Sequence, residues 1–119
     1  MADVYTQAGE ELTADIIDGT TAAPTWYVAW GTGAGTAVKG STTLFTEAAE
    51  SRVATTDTQP SPDVNQFQGT ITSLSAQTIT NAGIFSASTG GTLFLHSDFT
   101  GVALAINDSI QFTFQLTWS

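Results

Sequence analysis

The stretch from Ser109 to Trp118, Ser-Ile-Gln-Phe-Thr-Phe-Gln-Leu-Thr-Trp, sets Ile110, Phe112, Phe114, Leu116 and Trp118 on every second position with Gln or Thr between them. Successive side chains of a strand point to opposite faces, so this spacing predicts a half-buried β-strand with one large apolar face. A helix would scatter those residues around its circumference, and the aromatic, β-branched and threonine content also suits a pleated surface. So large an apolar face must be covered, and in a chain of 119 residues the natural cover is a second sheet. The expected fold class is all-β: an antiparallel β-sandwich, jelly-roll or Ig-like, with a short N-terminal helix or arm.

A chain of this length buries about two-thirds of its unfolded surface, enough for one core. One domain is expected, with residues 1–24 as the arm or short helix and 25–119 as the sandwich. Cysteine is absent and His96 is the single histidine, which argues against disulfides, thiolate sites and transition-metal centres, and no cofactor is expected. The N-terminal Met-Ala-Asp-Val-Tyr lacks a basic region and an apolar core, and no apolar run approaches the roughly 20 residues that span a bilayer. A soluble protein made in the cytoplasm is the expectation. Eleven acidic residues stand against Lys39 and Arg52, a net charge of −9 that repels nucleic acid and anionic membranes. With so few charges, threonine, serine, glutamine and glycine must cover the surface, which suits lateral packing against other proteins.

Along the chain, Leu12, Ile16 and Ile17 recur at helical spacing between Gln7 and Asp18, with Gly19 where a helix would stop. Glu10, Glu11 and Asp15 lack the ligand spacing and central glycine of a calcium loop and read as a solvated face. Residues 20–24 are a connector. Thr25–Trp30 reads as a strand with Trp26, Val28 and Trp30 on one face and Tyr27 and Ala29 on the other, so protein is expected on both sides. The glycines of 31–36 read as a flexible turn, because no P-loop lysine follows. Thr42–Glu50 is expected to form one or two helical turns with Leu44, Phe45 and Ala48 inward and Glu47 and Glu50 in water, either one able to pair with Arg52. Gln59-Pro-Ser-Pro62 marks a loop over 57–63. Val64–Leu74, with Phe67 and Ile71 on one face, reads as a surface or edge strand. Thr78–Ala87 reads as a strand with Ile79 and Phe85 in phase and Gly83 at a bulge or close approach. A turn at 88–91 leads into Thr92–Phe99, which faces Leu93, Leu95 and Phe99 inward and Phe94, His96 and Asp98 outward. A short strand over 102–106 and a turn at Asn107-Asp108 complete the series.

Three constellations invite chemistry. Glu47 and Glu50 resemble an acid/base pair, but neighbours on one turn do not bracket a substrate. His96 and Asp98 share a face, yet no Gly-x-Ser-x-Gly elbow supplies a nucleophile, so His96 is expected at the surface. Trp26 and Trp30 suggest a sugar-stacking platform, with core packing the preferred reading. No catalytic residue is assigned, and no enzyme is expected.

Thr78-Ile-Thr-Asn-Ala-Gly-Ile-Phe85, Gly90-Gly-Thr-Leu93, Phe99 and Asp108-Ser-Ile110 running into the terminal strand resemble the C-terminal half of small structural proteins of tailed bacteriophages. Tyr27-Val-Ala-Trp-Gly-Thr-Gly33, Leu44-Phe-Thr-Glu47 and Arg52 resemble the same family's strand, Gly-rich turn and Leu-x-x-Glu segment followed by arginine. The chain departs from that pattern at Asn81, where glutamate is frequent, and at Ile84, where leucine is. The resemblance implies a β-sandwich virion component, either a head decoration (cement) protein or a tail-fibre or collar module.

A compact acidic module favours decoration of the capsid exterior, with the major capsid protein and further copies of the chain as partners and a trimer as the expected state. The tail-fibre or collar module is the alternative, and a carbohydrate-binding module using Trp26 and Trp30 comes third. Tyr5, Leu12, Ile16 and Ile17 are the expected contacts with neighbouring subunits or the capsid, because residues 1–18 are too short to bury them in a core of their own.

Overall fold

The C-terminal alternation does build a strand. In the computed structural model, which describes residues 2–118, it is the last of eight. In chain order the elements are β1 (Ala2–Tyr5), α1 (Gln7–Ile17), β2 (Tyr27–Gly31), β3 (Val53–Ala54), β4 (Thr56–Ser61), β5 (Val64–Thr72), β6 (Gln77–Phe85), β7 (Leu93–Leu104) and β8 (Ser109–Thr117). They form an antiparallel five-stranded sheet in the order β1-β7-β6-β2-β3 and an antiparallel three-stranded sheet in the order β4-β5-β8. The inner faces meet in one core, Val28, Trp30, Ile79, Ile84 and Leu95 from the larger sheet against Phe67, Ile71, Phe112 and Phe114 from the smaller. The fold is therefore the expected all-β sandwich with an N-terminal helix.

The winding follows from two corners. β5 passes to β6, and β7 to β8, by crossing between the sheets, so β5 pairs with β8 while the β6–β7 hairpin nests inside them. The corners lie side by side: Ser73 N–H donates to Asp108 O at 2.7 Å and Asn107 N–H to Ser73 O at 2.8 Å. Asn107 takes φ +72°, a left-handed turn that asparagine tolerates better than most residues. The β2–β6 pair of one sheet and the β5–β8 pair of the other interlock in chain order, which locks the two layers of the sandwich together.

The N-terminal segment belongs to this frame. β1 pairs with β7 from Ala2↔Asp98 to Tyr5↔Leu95. Thr6, fully buried, caps α1 by accepting from Gly9 N–H at 2.9 Å and donates its own hydroxyl to Leu93 O at 2.6 Å. A Cβ on Gly9 would lie 2.7 Å from Phe94 O, so glycine is what lets the helix lie directly on β7. The expected stop also holds, with Gly19 at φ +85° just beyond the helix.

Elsewhere the structure corrects the sequence reading. Residues 42–50 contain no helix. Phe45 N–H donates to Asn81 Oδ1 and its carbonyl accepts from Asn81 Nδ2 and Gly33 N–H, while Thr32 N–H donates to Thr46 O. Backbone groups that a helix would pair internally are thus taken by neighbouring strands. Gly31–Gly35 is no free turn either, since a Cβ on Gly33 or Gly35 would meet Phe45 within 2.9 Å. Residues 56–61 form an edge strand in spite of Pro60, which a bulged edge accommodates. β5 is the central strand of its sheet, and β7 runs unbroken through Val102. A register shift between Ile79 and Asn81 puts Ile79, Ala82 and Ile84 in the main core and Phe85 in a second cluster with Ala29, Leu44 and Leu93. Gly83 makes the expected close approach, its absent Cβ 2.7 Å from both Leu95 O and Leu93 Cδ1. β2, β6 and β7 are consequently covered on both faces, and His96, expected at the surface, is wholly buried.

Candidate assembly surface

The polar residues that invited chemistry are engaged in bracing the fold. Glu50, expected in water, is only 8% exposed. Its Oε1 accepts from Trp30 Nε1 at 2.9 Å, and its Oε2 accepts from Leu74 N–H at 2.8 Å and Gln77 Nε2 at 2.6 Å. Burial works against ionisation, but these hydrogen bonds outweigh it and hold the carboxyl below its ordinary range. Glu47 pairs instead with Arg52, bidentate at 2.9 and 3.0 Å. The same guanidinium donates to Ala87 O and Gly90 O and lies 3.6 Å over the Phe85 ring, tying the β6–β7 turn to the preceding loop. That is the structural use of the Leu-x-x-Glu and arginine pattern.

His96 Nε2 faces Asn81 Oδ1 at 3.1 Å, and its ring packs 4.8 Å from Phe45. Its Nδ1 is buried without a partner. Desolvation pulls its pKa down against the opposing pull of the Asp98 charge, which favours the neutral imidazole in the folded protein. Asp98 Oδ1 accepts from Ala37 N–H at 3.0 Å rather than orienting the histidine. The tryptophan platform is not formed: Trp30 is buried beneath Glu50, and Trp26 packs against Phe67 and Phe94 with ring centroids at 5.7 and 4.5 Å.

Several apolar side chains remain at the surface among the polar ones. Tyr5 is half-buried in its own chain, edge-on to Phe94 at 5.1 Å and to Trp118 at 5.6 Å, with its hydroxyl 2.6 Å from Thr13 Oγ1. Burial raises its pKa. Leu12 and Ile16 are half-buried, while Ile17 is 81% exposed. Ile16 and Ile17 line a groove of about 220 Å³ together with Trp26, Leu116 and Trp118, whereas Tyr5 and Leu12 lie outside its lining. Asp57 stands in the groove wall, its carboxyl pushed up by burial against the hydrogen bond from Thr55.

A second opening of about 380 Å³ lies between β7 and β8, walled by Phe99, Val102, Ile110 and Phe112. It escaped the sequence reading because Phe99 and Phe112 look like ordinary core positions in their own strands. They lie beside an opening where β7 runs on past the end of its pairing with β1. Lys39, the other cation, is held 2.7 Å from Glu10 and 3.2 Å from Tyr5 O.

Glu50, His96 and Arg52 are thus engaged within the fold, and Ile17, Val102 and Trp118 stand exposed beside the two openings. A family model described as Podophage GP4 fiber I protein gp80 matches residues 6–117, and the chain belongs to that family. It is therefore a structural protein of a bacteriophage virion. No curated protein matches the chain at a significant level.

Proposed function

We propose that this protein is a non-enzymatic module of a podophage fibre, self-associating and joined to other virion proteins through its apolar surface. The observation that carries the reading is the match to a fibre-protein family over nearly the whole chain, residues 6–117, which supports a fibre role for the domain as a whole. Exposed Ile17, Val102 and Trp118 beside the two openings supply contact surface of the kind that interfaces use. Repetition on a virion makes such contacts cumulative, since each one raises the effective concentration of the next.

Decoration of the capsid exterior, with the major capsid protein as partner and threefold assembly, is the second reading. The net charge of −9 and the single compact module favour it. Gold-labelled antibody against the protein, imaged on intact virions by electron microscopy, separates the two. Label confined to fibres or to the tail is expected; label spread evenly over the head supports decoration and overturns the fibre assignment.

A further inference from the structure

The two edges of the small sheet are treated differently. β4 carries Asp57 and Pro60 and a register shift between Thr58 and Ser61, the devices by which proteins discourage a further strand from adding. β8 has none of these. It pairs with β5 in unbroken register from Ser109 to Thr117 and contains no proline, glycine, lysine or carboxylate, and no strand pairs with its outer edge among the described residues. Alongside it, β7 continues past Asp98, where its pairing with β1 stops, and the apolar opening walled by Phe99, Val102, Ile110 and Phe112 lies between the two strands.

We propose that β8 is the interface between copies of this chain, pairing antiparallel with β8 of a second copy across a twofold axis so that the two small sheets become one. Charge selects the occupant. Each copy carries −9, and its two cations are already engaged with Glu10 and Glu47, so copies approach most easily where neither presents charge. β8 is such a place. The strand is also self-complementary. Apolar residues hold the even positions from Ile110 to Leu116 and polar ones the odd, so any antiparallel register centred on a residue puts apolar opposite apolar on the core side and Gln or Thr opposite Gln or Thr outside. The added strand lies about 4.8 Å beyond the old edge, and its inward side chains close over Phe99 and Val102. This inference rests on the self-association proposed above and not on the protein's position in the virion, so the mass measurement below and the virion imaging can fail separately.

Gln111, Thr113 and Gln115 are exposed, so replacing them leaves the core intact. Sedimentation equilibrium of the intact protein is expected to give twice the chain mass of 12.4 kDa at high concentration. A variant with Glu at all three positions and a variant with Lys at all three should each be folded by circular dichroism and monomeric, and an equimolar mixture should regain the doubled mass. Because the lysine variant is less negative overall than the natural chain, its failure to pair reports opposition at the edge and not net repulsion. Amide exchange in the unsubstituted protein gives a second readout, with β8 slowing as concentration rises. A monomer at every concentration, a trimer, a glutamate variant that still dimerises, or β8 exchange indifferent to concentration overturns the proposal.

Discussion

Glu50 ties together three parts of the chain with one carboxylate, because Trp30, Leu74 and Gln77 all donate to it. Removing the acceptor leaves the buried Trp30 Nε1–H without a partner, at about 1–3 kcal/mol for an unsatisfied buried group, and frees the part-buried donors of Leu74 and Gln77. We expect Glu50→Ala to lower unfolding stability in urea by about 3 kcal/mol, and Glu50→Gln, which keeps one acceptor, by less. The pH dependence has two windows. The pKa of His96 is lowered on folding from its ordinary 6.5, so the unfolded chain takes up the proton first and stability falls as pH drops below that value. The pKa of Glu50 is also lowered, so its contribution is present above 4.5 and is lost as pH falls through the folded-state value. Melting temperature followed from pH 8 to 3 should show both declines, and His96→Gln should flatten the upper one while leaving the lower. None of this was legible in the sequence, where Glu50 and His96 looked solvated. Their burial is set by partners 20 to 27 positions away for Glu50 and 15 positions away for His96.

Among the elements, β6 shows how a strand is fixed by what crosses it. Gly83 sits where a Cβ would strike both Leu95 O and Leu93 Cδ1, and neither the backbone nor a buried leucine can withdraw freely. Gly83→Ala is expected to cost about 1–3 kcal/mol, measured by the same urea titration, whereas Gly40→Ala, which meets nothing within 4 Å, should cost far less. The close approach was readable from a glycine inside a strand pattern. The separation of Ile79 from Phe85 was not, because a bulge depends on how β7 runs alongside and leaves no mark on the hydrophobic period.

At the scale of the whole molecule, β1 and α1 are part of the sandwich and not a detachable arm. Deleting residues before Leu12 uncovers the β7 edge from Leu95 to Asp98 and removes Tyr5 and Thr6 from their packing, so the truncated chain is expected to melt lower and to aggregate. Thermal scanning and light scattering would check both; a truncated chain as stable and as soluble as the full one would show the segment to be dispensable. Self-association through β8 should strengthen as salt is raised, because the repulsion between acidic copies is screened within about 8–10 Å near physiological ionic strength. A mass distribution that shifts toward monomer with added salt would point to ion pairing in its place.

The sequence by itself determined the strands whose pattern is local: the alternation of 109–118, the glycine-bounded hairpin over 78–99, the helix over 7–18 and the absence of charge along the last strand. Periodicity reports which face of a segment is apolar, and that survives into the fold because burying the face is what drives it. Only the tertiary structure decided that 42–50 would be an irregular loop pinned at Phe45 by Asn81, that Pro60 would sit in an edge strand, that His96 and Glu50 would be buried, and that one sheet edge would stay open beside Phe99 and Val102. Each of these depends on which segment lies alongside, a relation between residues distant in sequence, and no periodicity within one segment carries it.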